Sequence, residues 1–80
     1  MPKLPVVSGQ RMIAYLQKEW FILTATKWSH HKLVKQTSEW RYITTVPLHK
    51  ELDQLTLKSI LRQSHIDVNY FLETYKENKN

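Results

Sequence analysis

The rapid change of segment type along the chain is the feature that most constrains its fold. Helical and strand-like patterns replace one another every ten residues or so, without a repeat, a low-complexity run or a linker. A chain of 80 residues can build one modest core. Together these observations predict a single small α+β domain over residues 1–80, with a frayed tail at residues 76–80.

Three helices are predicted from apolar stripes and N-cap residues. The first covers residues 8–19, where Ser8 is the expected N-cap and Trp20 continues the apolar stripe into the core. Thr56 is the expected N-cap of the second helix, and Asp67 that of the third. The three stripes are Met12, Ile13 and Leu16; Leu57, Ile60 and Leu61; and Val68, Phe71, Leu72 and Tyr75.

Three strands are predicted between the first and second helices, at residues 20–27, 29–36 and 40–46. Aromatic and β-branched residues are frequent in the first and third of these segments, as is typical of strands, whereas residues 29–36 alternate less cleanly but can form the second strand. Pro47 should end the third strand, because proline has no N–H group to give to the ladder. The order α-β-β-β-α-α predicts a three-stranded antiparallel sheet with helices on one face and water on the other.

The composition excludes several classes of protein. The absence of cysteine excludes a disulfide framework, a thiol nucleophile and a cysteine zinc site, and a single glycine excludes a glycine-rich phosphate loop. No stretch approaches the roughly 18 apolar residues of a membrane span, and the N-terminus lacks the long apolar segment of a secretory signal. We therefore expect a cytoplasmic protein that does not associate with a membrane.

Positive charge is concentrated in the first part of the chain. Residues 1–50 carry eight lysines or arginines and two acidic residues, whereas residues 51–80 carry four and five. A basic half predicts a polyanionic partner such as nucleic acid, with a merely solvated surface as the alternative. DNA is the weaker choice, because no predicted helix carries a basic face that could serve as a recognition helix.

A pair of histidines in the second predicted strand offers proton-transfer chemistry. His30 and His31 lie between Lys27 and Lys32, and histidine with lysine suffices to cleave RNA through its own 2′-hydroxyl without a metal. In a strand, His30 and Lys32 share one face while His31 takes the other, unless the strand is bulged. Because such neighbours diverge, no metal site and no cofactor is predicted. A basic strand exposed to water explains the same residues without catalysis.

Three further residues each have a functional and a structural interpretation. His49 is either a second base or phosphate contact, or a loop histidine bonded to the backbone. His65 lies at the exit of the second helix, where we expect it to cap carbonyl groups or meet the negative helix end. Trp28 lies beside the histidines and either contacts RNA or a partner, or packs within the hairpin.

Four segments of the chain resemble, in order, the characteristic segments of one family. The second resembles a Gly-Ser-His signature, the third a Val-Pro-x-His segment, and the fourth a Thr-Leu-x-x-Ile-Leu-Arg-Gln helix. The four segments are Pro2–Gly9, Ser29–His31, Thr45–Leu52 and Thr56–Gln63. On these segments the chain resembles the HicA-type toxins, the mRNA interferase half of HicA–HicB toxin–antitoxin pairs.

The resemblance implies a fold, an activity and a partner. The fold is like that of the double-stranded RNA-binding domain, and the activity is metal-independent cleavage of mRNA by an endoribonuclease. The resemblance also implies that the signature histidine, here His30, is catalytic, and that an acidic HicB-like antitoxin binds over the active site. From their chemistry and position, Lys27 and Lys32 are expected to hold the phosphate, with Trp28 and Ser29 as further RNA contacts.

Three positions depart from the family pattern by lacking a glycine. Trp28 replaces the glycine of the signature, Trp20 the glycine before the first strand, and Leu55 the glycine before the Thr-Leu helix. A glycine before Ser29 permits a tight turn or a close approach of RNA backbone, and tryptophan permits neither as easily. This departure motivates the alternative function, a non-catalytic RNA- or partner-binding module of the same fold.

Overall fold

The computed structural model describes residues 4–75 and contains the predicted elements in the predicted order. The tail expected to fray, residues 76–80, lies outside the described residues. The elements are α1 (Gly9–Lys18), β1 (Ile22–Lys27), β2 (His30–Gln36), β3 (Arg41–Pro47), α2 (Gln54–Gln63) and α3 (Val68–Thr74).

The three strands form one antiparallel sheet in the order β1-β2-β3. A two-residue turn joins β1 to β2, and a loop closed by the Thr37 hydroxyl, which donates to the Trp40 carbonyl at 3.1 Å, joins β2 to β3. Leu33, Thr44 and Val46 point to the helices and are buried. The opposite side of the sheet is largely exposed, so the predicted α+β fold with helices on one face is confirmed.

The core lies between the sheet and the helices. Tyr15 of α1 meets Phe71 of α3 edge to face, with ring centroids 5.0 Å apart, and this contact holds the last helix against the first. All the predicted helical stripes contribute to this core. Its buried residues are Leu4, Val7, Met12, Tyr15, Leu16, Phe21, Leu33, Val46, Leu52, Leu57, Ile60, Leu61 and Phe71.

Short polar residues cap all three helices, and one predicted cap is wrong. Ser8 accepts a hydrogen bond from the Arg11 amide at 3.0 Å, and Asp67 caps α3 through the amides of Asn69 and Tyr70, as predicted. Helix α2, however, begins before Thr56. The Asp53 carboxylate accepts a hydrogen bond from the Thr56 amide at 2.7 Å and is the true N-cap. Thr56 is the third residue of the helix, so its amide has no partner within the helix and needs this cap.

The end of α1 overturns the prediction that Trp20 is a core residue. Trp20 has a φ of 76° and is 79% exposed, whereas the next residue, Phe21, is 3% exposed. The Trp20 amide donates to the Gln17 carbonyl and the Phe21 amide to the Leu16 carbonyl, which together form a Schellman motif. The left-handed backbone at Trp20 reverses the direction of the chain. As a result Phe21 is buried, at the place that the helical stripe had predicted for Trp20. The first strand therefore begins at Ile22 and not at residue 20.

Candidate functional site

The open face, defined as the side of the sheet away from the helices, presents its side chains in cross-strand rows. The pairing of β2 with β3 is regular throughout, and the one irregularity of the sheet among the described strands is a bulge at Thr24 of β1. Successive rows are about 7 Å apart, because each is two residues further along the strand. The rows are Lys27–His30–Pro47, Ala25–Lys32–Thr45, Ile22–Val34–Ile43 and Gln36–Arg41.

His30 lies in the first row, at the exposed end of the sheet. Lys27 is its cross-strand partner, and directly opposite residues have Cβ atoms about 5 Å apart. Lys32 follows in the next row on the same face, as strand alternation predicts. All three side chains are exposed. The geometry therefore gathers one imidazole and two ammonium groups where a phosphate from solution can reach them.

His31 is separated from this group by the sheet itself. It pairs with Thr26 and Val46, faces the helix side and is half-buried. Its Nδ1 atom is buried and has no hydrogen-bond partner among residues 4–75. Because β2 carries no bulge, the prediction that only one of the two neighbouring histidines belongs to a single site agrees with the geometry.

The turn before His30 explains why a glycine suits its first position. Trp28 has a φ of 57°, in the left-handed region, whereas Ser29 does not. A positive φ at the first central residue of a two-residue hairpin turn favours glycine. Here the turn holds an indole that is 85% exposed, with the Lys27 ammonium 5.1 Å from its ring centroid. Trp28 thus does not pack within the hairpin but projects into solvent beside His30.

Backbone hydrogen bonds join the segment after β3 to the turn before His30 and to the start of α1. The Leu48 amide donates to the Ser29 carbonyl at 2.8 Å, and the Gly9 amide donates to the His49 carbonyl at 2.8 Å. A Cβ atom on Gly9 would lie far closer than 3.0 Å to the Pro47 carbonyl oxygen. The start of α1 and the segment after β3 therefore fit together only because residue 9 is glycine. Sequence reasoning did not identify this role, although a single glycine in the whole chain was a visible signal.

The two remaining histidines lie apart from the His30 group in different ways. His49 is exposed, and its charge is one of the smaller influences that lower the pKa of Asp53, after the hydrogen bonds from the Thr56 amide and hydroxyl. His65 terminates α2 with a φ of 58°, and its amide donates to the Arg62 carbonyl. Its backbone thus caps the helix as expected, while its ring lies 4.6 Å from that of Tyr42 on the helix side.

A groove between β3 and α2, which sequence reasoning missed, adjoins the open face. Its volume is about 480 Å³. Thr56, Ser59 and Gln63 recur at helical spacing on α2, and this polar stripe beside the apolar one was a signal that could have revealed half of the groove. The groove is lined by Ile43, Thr44, Thr45, Leu55, Thr56, Ser59, Ile60 and Gln63.

A metal centre needs several ligating side chains, and a membrane span needs a long apolar helix. Residues 4–75 contain no group of three or more histidine, aspartate or glutamate side chains arranged to hold a metal ion. None of the helices α1 to α3 has both the length and the apolar character needed to cross a bilayer.

Comparison with known proteins gives one match. The family model of the HicA toxin of bacterial toxin–antitoxin systems matches residues 9–66, which is more than half of the chain. The matched range runs from the first residue of α1 to Ile66, whose amide donates to the Leu61 carbonyl at the end of α2, and it includes the whole open face. Neither the search of curated proteins nor the search of solved structures gave a match.

Proposed function

The chain belongs to the HicA toxin family of bacterial toxin–antitoxin systems, and we propose that it is an endoribonuclease of that family which cleaves mRNA through His30. The observation that carries the proposal is the placement of His30. Its imidazole is exposed on the open face, with Lys27 opposite and Lys32 in the next row. A proton-transfer group between two cations is what cleavage at a phosphate requires.

The proposed reaction uses the 2′-hydroxyl of the RNA as the nucleophile. Neutral His30 removes the proton of that hydroxyl, and the oxygen attacks the adjacent phosphorus. As the bond from phosphorus to the 5′-oxygen breaks, a 2′,3′-cyclic phosphate forms, and the imidazolium returns its proton to the leaving 5′-oxygen. One histidine thus balances both proton transfers, and no cofactor enters the step.

Lys27 and Lys32 supply the charge stabilisation in this proposal. The phosphorane formed during attack carries more negative charge than the ground-state phosphate, so fixed ammonium groups beside it favour the transition state. Ser29 and Trp28 lie in the turn next to His30, where the exposed indole can stack on a base that flanks the scissile phosphate. Together these residues form the proposed RNA contact surface.

A HicB-like antitoxin is the proposed protein partner, and the cytoplasm the proposed place of action. On the open face, the three strands present the cations Lys27, Lys32 and Arg41 and no acidic residue. An acidic protein therefore complements the same face that we assign to RNA, so antitoxin and mRNA would compete for it.

The second candidate function is RNA binding without cleavage. The observation in its favour is the 85% exposed Trp28, which occupies a left-handed position that favours glycine and stands beside His30. A bulky side chain at this place keeps RNA backbone from approaching as closely as it would at a glycine. On this reading the protein binds RNA through the open face in a salt-dependent manner and leaves the strand intact.

Incubation of the purified protein with a long mRNA in EDTA tests both functions. Wild type is compared with His30→Ala and with the matched control His31→Ala, which removes the same group from the other side of the sheet. Circular dichroism confirms that each variant is folded. We expect cleavage by wild type and His31→Ala and none by His30→Ala, with RNA affinity retained.

Three other results of this experiment would change the conclusion about His30 or about cleavage. Cleavage by His30→Ala equal to that of wild type would refute the catalytic role of His30. RNA binding without cleavage by any of the three proteins would favour the binding module. Loss of folding in His30→Ala would show that His30 is a structural residue.

A further inference from the structure

The groove between β3 and α2 lies near His30, at the edge of the open face. Thr45 belongs both to the groove lining and to the second row of the open face, where it pairs with Lys32. One row along the strands and one strand across correspond to about 8 Å from the position of His30. This is close enough for a nucleotide whose neighbouring phosphate lies at His30 to extend into the groove.

The lining offers both hydrogen-bonding groups and apolar surface, and a nucleobase can use both through its polar edge and flat face. Thr45, Thr56 and Ser59 provide hydroxyl groups. Apolar surface comes from Ile43, Leu55 and Ile60. The lining contains no acidic residue that would repel RNA. A volume of about 480 Å³ also lies within the range of roughly 300–1,000 Å³ that is usual for small-ligand pockets.

Gln63 presents a hydrogen-bond donor to the groove. The hydroxyl of Thr44, which is fully buried, donates to the Gln63 Oε1 atom at 2.8 Å. This bond occupies the carbonyl oxygen of the amide and orients the side chain, so the amide nitrogen is the group presented to a ligand. A base that offers an acceptor atom, such as a ring nitrogen or a carbonyl oxygen, is therefore favoured.

We propose that this groove is a base-recognition subsite, which binds one unpaired nucleobase of the RNA next to the cleaved phosphate and sets the sequence preference of cleavage. This inference rests on the proposed ribonuclease function. It also defines the substrate as single-stranded at the cleavage site, because a base held in the groove has left any helical stack. Gln63 is a specificity residue in this scheme and takes no part in the proton transfers.

The test combines a binding measurement with a map of cleavage sites. The four ribonucleoside 3′-monophosphates are titrated into isotope-labelled protein, and the backbone amide signals of Thr45, Ser59 and Gln63 are followed by NMR. In parallel, cleavage sites on a long mRNA are sequenced for wild type and Gln63→Glu. The matched control is Gln17→Glu, the same change on the exposed surface of α1.

The Gln63→Glu variant keeps an acceptor for Thr44 and replaces the amide donor with a second acceptor. We expect saturable signal changes at the groove residues with a preference for one base, and a roughly tenfold change of base preference in Gln63→Glu. The Gln17→Glu variant should keep the wild-type preference. The NMR spectra also report whether each variant is folded.

The alternative results separate the two proposals. Unchanged cleavage sites in Gln63→Glu, with no signal changes in the groove and with cleavage still dependent on His30, would overturn the subsite and leave the ribonuclease standing. If wild type neither bound any of the nucleotides nor cleaved the mRNA, both the subsite and the ribonuclease proposal would be overturned. Signal changes in the groove on addition of a HicB-like antitoxin, with none on addition of any of the four nucleotides, would identify the groove as a protein-docking surface and overturn the subsite.

Discussion

Lys27 lies directly opposite His30 across the turn between β1 and β2, so an ammonium and an imidazole share the exposed corner of the sheet. The pairing follows from a turn of only two residues, Trp28 and Ser29, which brings the two strand ends face to face. A shorter or longer turn would change the register and send one of the two side chains to the helix side. The turn is thus what assembles the proposed site.

Removal of the open-face lysines should weaken RNA binding in a salt-dependent way. In a His30→Ala background, which prevents cleavage, Lys27→Gln and Lys32→Gln should each reduce the slope of log affinity against log salt by about one. Fluorescence anisotropy with a labelled single-stranded RNA measures this slope. Lys18→Gln, which removes an exposed cation at the end of α1, is the control and should keep the slope. An equal effect of all three changes would show that net charge, rather than the open face, determines binding.

The Gly9→Ala substitution should destabilise the fold. The added methyl group collides with the Pro47 carbonyl, which belongs to backbone that is also held by the Leu48 and Gly9 hydrogen bonds. Overpacking of this kind costs about 1–3 kcal/mol, and a shift of the urea midpoint measures it. Gln10→Ala, at the neighbouring exposed position, should change the free energy of unfolding by less than about 0.5 kcal/mol. Equal stability of Gly9→Ala and wild type would contradict the close contact.

The Trp20→Gly substitution should stabilise the protein relative to Trp20→Ala. Both variants remove the exposed indole, but only glycine adopts the φ of 76° without steric conflict. Because a left-handed conformation costs an ordinary residue about 1–2 kcal/mol, the two variants should differ by about 1 kcal/mol in free energy of unfolding. Thermal and urea denaturation of the pair give this difference directly. A more stable alanine variant would mean that the Schellman motif does not persist in solution.

The cap of α2 should make stability depend on pH in the acid range. Hydrogen bonds from the Thr56 amide and hydroxyl lower the pKa of Asp53 below its ordinary value of 3.8. The stabilisation is therefore complete above that value and is lost as the pH falls through the lower pKa of the folded state. Asp53→Ala should lower the free energy of unfolding at pH 7, and its difference from wild type should shrink below pH about 4. Asp53→Asn keeps a cap that does not titrate, so its stability relative to Asp53→Ala should stay constant across this pH range, as urea denaturation across pH can establish.

The site could be predicted from the sequence only in part. The divergence of His30 and His31 follows from strand alternation, which is a local property of the backbone. The pairing of Lys27 with His30 was not predicted, because the segment between the strands contains no glycine and is a poor signal for a tight turn. The groove was missed since Thr44 and Gln63 are nineteen residues apart in the chain and meet only when α2 packs beside β3.

Local periodicity and short-range hydrogen bonding were enough to predict the order of helices and strands, the caps at Ser8 and Asp67, and the faces of β2. The cap of α2 at Asp53 is equally local, although the pattern assigned it to Thr56. Packing between distant segments accounts for the rest. It buries Phe21 in the place predicted for Trp20, and it makes Gly9 indispensable by bringing that residue against the segment after β3. No local pattern encodes where such segments meet.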